Sequence, residues 1–461
     1  MSKSTRREFL RHSRRAVGTW AVAGAFQQFL SRPAVAANNA SVSPYGPLRP
    51  VKDQSTGLEL LSLPDGFRYL SYGWTGDEMD SGVKTPGVHD GMAVISAGKE
   101  QLVLCRNHEL KGNGVPFATP DRTYDSAAPA GCTNLVFDFV QGTWLKSFAS
   151  ISGTVKNCAG GPTPWGTWLT CEETVLGPGD QDDGKSLAYQ HDHGWIFEVP
   201  AEGAINPRPL KGMGRFVHEA IAVDPRTGII YETEDAKQAG FYRFLPLKPG
   251  DLSQGGRLQM LKVKGAPDLR KGNFMEVTYD VDWVDIAEPE RAHSPGKQDG
   301  AGVFQQGKSQ QATTFARLEG CWNGNERVYF VSTSGGHAER GQVWEFDPTG
   351  QTLKLIFESP GSDVLDKPDN ITVSPRGGLV LCEDGDVSPQ RMHGLTVDGQ
   401  LFPLAANNVV LNGERNGIRG NFRDSEWAGA TFSPDGRWLF VNIQDPGITF
   451  AITGPWEDGL L

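Results

Sequence analysis

The chain has 461 residues, 38% of them hydrophobic and 21% charged, a composition that excludes a disordered or collagen-like polypeptide. Its 57 glycines and 30 prolines set a turn density that disfavours a helical bundle and favours many short strands. The 44 basic and 55 acidic residues leave a net charge of -11, and no basic tract follows the N-terminus, so no nucleic-acid binding is expected.

The first predicted element is a targeting segment. Thr5-Arg6-Arg7-Glu8-Phe9-Leu10-Arg11 places twin arginines ahead of a hydrophobic pair. A weakly apolar run follows from Ala16 to Leu30, and Ala34-Val35-Ala36 offers a small-residue cleavage site. This is the order of a twin-arginine (Tat) export signal over residues 1–36. The apolar run is broken by Gln27 and Gln28 and falls short of the roughly 20 residues of a bilayer span, so no stable membrane anchor is expected. The Tat translocase is the expected partner during export, and the periplasm or the exterior the expected destination. Residues 1–36 hold seven basic residues and one acidic residue, so their removal takes the net charge from -11 to -17. An exported chain with that excess of carboxylate is a candidate cation binder. Tat passes folded proteins, so the cysteines first meet a reducing cytoplasm, which favours thiolate ligands over disulfides. Changing Arg6→Lys and Arg7→Lys together is expected to trap the precursor in the cytoplasm. Immunoblots of cell fractions check this, and a normal periplasmic yield would refute the signal.

Residues 37–57 read as a short mature N-terminal segment and residues 58–461 as one domain. Residues 66–72 (GFRYLSY) form a spare strand. Six similar strands then end in polar groups, at 102–109, 167–173, 229–235, 328–334, 379–384 and 438–445. Each follows a turn such as Asp224-Pro225-Arg226-Thr227-Gly228, and before each turn lies a shorter strand beginning near Asp90, Cys158, Glu219, Glu319, Asn370 or Glu426. Third strands are expected at 133–139, 194–199, 241–245, 342–346, 394–397 and 448–452, and fourth strands at 145–151, 208–212, 258–263 and 353–358. Six hairpins of this kind predict an all-β fold, a six-bladed β-propeller closed by the N-terminal strand, which completes the last blade. A monomer is expected.

In a propeller the first strand of each blade lines the axis, and its starting end shares a face with the finishing end of the second strand. That face gathers Asp90, Cys158, Glu219, Glu319, Asp369, Asn370 and Glu426 from first strands. It gathers Asn107, Glu109, Glu172, Glu173, Glu234, Asp235, Glu383, Asp384 and Gln444 from second strands. The insertions at 110–130, 174–192, 264–316 and 405–425 rim the same face. Converging carboxylates repel one another, and multivalent cations remove that cost. Oxygen donors alone suit calcium, whereas a thiolate among them calls for a transition metal. Cys158, within Asn157-Cys158-Ala159-Gly160-Gly161, supplies the thiolate. Cys105, Cys132, Cys171, Cys321 and Cys382 read as buried small hydrophobes. His108 and His218 alternate away from the neighbouring Glu candidates, and His191-Asp192-His193 reads as a turn or rim. Arg317 stands two residues before Glu319, where it serves either as a phosphate clamp or as a plain ion-pair partner.

The segment from Asn157 to Glu173, NCAGGPTPWGTWLTCEE, resembles the signature of the PhoX-type alkaline phosphatases. Arg106-Asn107-His108-Glu109, His218-Glu219, Glu234-Asp235, Arg317-Leu318-Glu319, Asp369-Asn370, Glu383-Asp384 and Ser433-Pro434-Asp435-Gly436-Arg437 resemble the same family. The resemblance implies a Tat-exported six-bladed propeller that hydrolyses small-molecule phosphate monoesters at alkaline pH. It implies a pair of ferric ions (Fe³⁺) bridged by oxide and by the Cys158 thiolate, with Ca²⁺ beside them. The carboxylate ligands expected from it are Glu109, Glu172, Glu173, Glu219, Glu234, Glu319 and Glu426, with Asp235, Asp369, Asn370, Glu383 and Asp384 as further candidates. Arg317 is expected to hold the substrate phosphate and to act in catalysis with Cys158, and Asn157 joins it as a substrate-binding candidate. Two rivals stand beside this reading: a calcium-dependent propeller lactonase or organophosphate esterase, and a non-catalytic propeller with structural ions.

Overall fold

Strands His89–Ala97, Asn157–Pro162, His218–Val223, Leu318–Gly324, Pro368–Val373 and Trp427–Phe432 neighbour one another in a closed ring. They are the short strands expected before each turn. The computed structural model describes residues 42–461 apart from 204 and 273, so the expected signal and its cleavage site lie outside the described residues. Each ring strand pairs antiparallel with the next strand outward: Gln101–His108, Thr167–Glu172, Ile230–Glu234, Arg327–Ser332, Leu379–Glu383 and Leu439–Ile443. These second strands are buried almost throughout because they are covered on both faces; Leu379–Glu383 (LVLCE) is buried at every position. The turns between the pairs hold themselves. Asp224 accepts from Arg226 N at 2.9 Å and from the Thr227 hydroxyl at 3.0 Å, and Ser374 Oγ accepts from Arg376 N.

The architecture is all-β and propeller-like, with one α-helix, Gly302–Ser309, among the described residues. The sheets are unequal. The first has four strands, adding Ala130–Asp138 and Thr143–Thr154, and the second has three, ending in Ile196–Pro200. The fourth strand expected there, at 208–212, is a loop and a 3-10 turn, Lys211–Met213. Pro207 and Pro209 remove the donors that a ladder would need. The third and fourth sheets merge into one of nine strands, because Thr278–Asp285, inside the insertion expected at 264–316, pairs with Gly256–Val263 on one side and Thr352–Glu358 on the other. The fifth sheet gains Arg49–Val51 and Leu61–Leu63, so part of the segment 37–57 belongs to it. In the sixth, Arg68–Tyr72 pairs with Ile448–Thr453, where the spare N-terminal strand was expected to close the ring.

Each ring strand carries a register shift near its start, between His89 and Met92, Asn157 and Gly160, His218 and Ile221, Leu318 and Cys321, Pro368 and Ile371, and Ala428 and Thr431. Such bulges re-aim side chains. They also bring ring strands close. A Cβ on Gly91 would lie 2.5 Å from Ala159 Cα, and one on Gly320 would lie 2.6 Å from Asp369 O.

Arg106 clasps the closure. It is fully buried and donates to Gly73 O at 3.1 Å, Thr449 Oγ1 at 2.7 Å and Thr133 Oγ1 at 3.1 Å, joining the closing segment, the sixth sheet and the first. Arg106→Met is expected to lower the free energy of unfolding by about 3 kcal/mol, because it leaves buried acceptors unpaired at the seam. Urea unfolding measures this, and an unchanged midpoint would show that the clasp does not hold the ring.

Candidate metal centre

The repeated bulge sets the site. Asp90, Cys158, Glu219, Glu319 and Asp369 are each the second residue of a ring strand, so five sheets deliver a ligand-type side chain to one place. The sixth strand has Ala428 there, and Glu426, just before that strand, brings its carboxylate instead. A second tier follows the outward strands: Glu109, Glu173, Asp235, Thr333, Asp384 and Gln444. Each donates its backbone N–H to the carbonyl of the residue preceding a ring strand: Val88, Lys156, Val217, Arg317, Lys367 and Glu426, at 2.9 to 3.2 Å.

Donor atoms of these residues converge. Those of Cys158, Glu173 and Glu219 lie within 4.8 Å of one another, as do those of Asp90, Glu109 and Glu426, of Glu219, Glu319 and Asp369, and of Asp369, Asp384 and Glu426. Glu219, Asp369 and Glu426 each belong to two sets, which makes one continuous basin. The basin is buried at its floor: Glu319 is 2% exposed, Glu219 3% and Cys158 5%. Burial first, and repulsion by Glu109 and Asp369 second, push the Asp90 carboxyl well above its usual range. Burial and acidic neighbours do the same to Glu219, Glu319 and Glu426, and to Glu173 despite Lys156. Asp369 rises to about 8, from burial and then from Asp384. Burial, then Glu219 and Glu173, hold the Cys158 thiol protonated. Without cations these groups keep protons, and a multivalent cation is what allows them to ionise together.

Two side-chain cations bond to the basin. Arg317 forks onto Asp235, with Nε and Nη2 at 2.8 and 2.9 Å from its two oxygens, and Nη2 also donates to Glu319 at 2.8 Å. Lys156 Nζ lies 2.6 Å from Glu173 Oε2 and 3.7 Å from Glu109 Oε1. Gln444 Nε2 donates to Glu109 at 2.9 Å and to Glu426, and lies 3.4 Å from Asp90 Oδ2.

The basin thus takes in Cys158, Glu109, Glu173, Glu219, Glu319, Asp369, Asp384 and Glu426 of the expected ligands, with Asp235 beside Arg317 and with Asp90. Five expected residues are held elsewhere. Glu172 accepts from Val155 N, Gly194 N and Trp195 N at 2.8 to 3.0 Å. Glu234 accepts from Gly240 N and the Tyr242 hydroxyl at 2.8 and 2.7 Å. Glu383 accepts from Asp366 N, Arg391 and His393. The cause is the pleat: each is the last residue of its strand, and its successor faces the other way, into the basin. Asn370 accepts from Ala430 N at 3.1 Å, joining two ring strands. Asn157, expected at the substrate, is fully buried between Thr154 and Thr170. Lys156 was missed, although it stands where Arg317 stands in its own repeat. The five remaining cysteines are buried and unpaired, as expected.

His193 is not a rim residue. It is fully buried, with Nδ1 2.6 Å from Glu172 Oε1 and Nε2 3.5 Å from Asp125 Oδ2. It joins the insertions at 110–130 and 174–192 to the strand that ends beside Glu173. Burial alone would lower its pKa, but the two carboxylates outweigh burial and raise it to about 9. A raised folded pKa stabilises fully below the unfolded value and is lost as pH rises through the folded one. The wild type is therefore expected to lose about 3 kcal/mol of stability between pH 7 and pH 10 from this group, and His193→Gln to lose that difference. Denaturant unfolding at both pH values measures it, and equal pH slopes in the two proteins would contradict it.

Solved structures align with most of the chain at low identity. XC5397 from Xanthomonas campestris, a gluconolactonase, is 13% identical with a TM-score of 0.41, over 89% of this chain and 98% of that one. A protein of unknown function from Bacteroides thetaiotaomicron VPI-5482 is 9% identical with a TM-score of 0.40, over 83% of this chain and 74% of that one. The WD40 β-propeller domain of Doa1 is 9% identical with a TM-score of 0.38, over 84% of this chain and 99% of that one. No curated protein matches the chain. The family model of alkaline phosphatase PhoX matches residues 43–147 and 138–447, which include every residue of the basin, and the chain belongs to the PhoX family.

Proposed function

We propose that the protein is an exported phosphoric monoester hydrolase, an alkaline phosphatase of PhoX type, built as a six-bladed propeller whose basin holds ferric iron and calcium. Six blades are supported by the closed ring of six inner strands and their repeated bulge. Export rests on the twin-arginine segment and on the family; among the described residues no helix is long and apolar enough to cross a membrane. The single observation that carries the function is the basin of one thiol and many carboxyls beside a fork-held arginine, in a chain of this family.

The donor set fits the proposed ions. The three all-carboxyl sets suit calcium, and the set of Cys158, Glu173 and Glu219 suits a transition metal. When bound, such ions supply Lewis acidity and charge neutralisation for a phosphoryl dianion. The chain's own residues do the rest. Asp235 and Glu319 hold Arg317 Nε and Nη2, so the guanidinium is pre-oriented and Nη1, with no protein partner among the described residues, donates to a phosphoryl oxygen. Gln444 fixes the carboxylates of Glu109 and Glu426 that face each other across the seam.

Side-by-side turnover of p-nitrophenyl phosphate and of gluconolactone by the purified, metal-loaded protein tests the reading. Phosphoester hydrolysis with no lactone opening is expected; the reverse would assign a lactonase, and neither a binding propeller.

A further inference from the structure

Lys156 precedes the second ring strand as Arg317 precedes the fourth. Both residues have left-handed backbones, with φ of 47° and 46°, as have Val88 and Lys367 at the equivalent positions with φ of 50° and 51°, so the conformation belongs to the repeat and the side chain is what sets Lys156 and Arg317 apart. The carbonyl of each accepts from a second-tier residue at 2.9 Å, Glu173 N for Lys156 and Thr333 N for Arg317. The repeat therefore presents a long cationic side chain over the basin twice. At the other four equivalent positions it does not. Val88 and Val217 are apolar, Glu426 is acidic, and Lys367 turns to the exposed Asp386 at 3.0 Å.

The Lys156 ammonium also stands at a junction. Glu173 belongs to the set with the thiol, and Glu109 to a set made of carboxyls alone. Nζ makes one hydrogen bond, to Glu173, while Glu109 at 3.7 Å is an ion-pair contact only. The side chain is 27% exposed, so part of it meets solvent. Of its three N–H donors, two are unspent. Cations in the basin would take the charge of Glu173 and Glu109 and loosen their hold on the ammonium, leaving an anion at the mouth as its better partner.

We propose that Lys156 is a second phosphate-binding cation, donating to a phosphoryl oxygen of the substrate alongside Arg317. This rests on the phosphatase reading and adds a residue to it. The test uses full-length wild type, Lys156→Met and Lys156→Arg. Iron and calcium are measured by elemental analysis, and inorganic phosphate is the probe, through its inhibition constant and by calorimetry. Lys156→Met is expected to keep its metals and to weaken phosphate binding about 10- to 100-fold, the range for one charge-assisted hydrogen bond. KM should rise with it, and Lys156→Arg should recover most of the affinity. Unchanged phosphate affinity in a metal-replete Lys156→Met would overturn the proposal. So would loss of metals in that variant, which would make Lys156 a scaffold for Glu173. A wild type that binds no phosphate and hydrolyses no phosphomonoester would instead refute the phosphatase reading itself.

Discussion

Cys158→Ser is expected to abolish iron binding and phosphomonoesterase activity together. The thiol sits at the second position of a ring strand, within 4.8 Å of donor atoms of both Glu173 and Glu219, and it is 5% exposed. Serine keeps the size but offers a hydroxyl that does not ionise at working pH, so a soft, charged ligand becomes a poor neutral one. The all-carboxyl sets are untouched, so calcium should stay. The loss of activity should exceed the roughly 10- to 100-fold typical of residues that only support a ligand. Elemental analysis, the visible spectrum and turnover are read on one preparation. Full activity without iron would remove the thiolate from the mechanism and leave a calcium-only hydrolase.

Arg317→Ala is expected to keep the metals and to lower kcat/KM by about 10²- to 10³-fold, the usual cost of removing one donor aimed at developing charge. Asp235 and Glu319 lose their partner at the same time, so Arg317→Lys is the informative control. Lysine restores the charge but cannot fork onto Asp235 at two points. It should recover less than a tenth of the lost activity if the fork positions the donor. Phosphate binding unaffected by Arg317→Ala would contradict the clamp and favour a structural ion pair.

Much of this was legible in the sequence because propellers repeat. The turn residues at Asp224, Ser374 and Ser433 mark the hairpins, and the polar residues that end each second strand mark one face. What the sequence hid is local geometry. A pair such as Glu172-Glu173 reads as two ligands, and only the pleat decides that the first points into hydrogen bonds with Gly194 and Trp195 while the second points into the basin. The same rule divides Glu234 from Asp235 and Glu383 from Asp384. Likewise the bulge selects Asp369 over Asn370. His193 was misplaced for a different reason: an insertion is usually surface, and its burial depends on Asp125, 68 residues away, which no local pattern connects to it. The merged third and fourth sheets are of this kind too, since Thr278–Asp285 lies inside what reads as a rim loop.

We propose that the basin is a mixed iron and calcium site and that these ions make the chain a phosphatase. The most direct measurement is the metal content of the purified wild type, by elemental analysis, with p-nitrophenyl phosphate turnover followed through chelation and metal return. Iron and calcium are expected to co-purify with the protein, and activity to fall as calcium is removed and to return with calcium while the iron stays bound. Full turnover by a protein containing neither metal, or containing calcium without iron, would contradict the proposal.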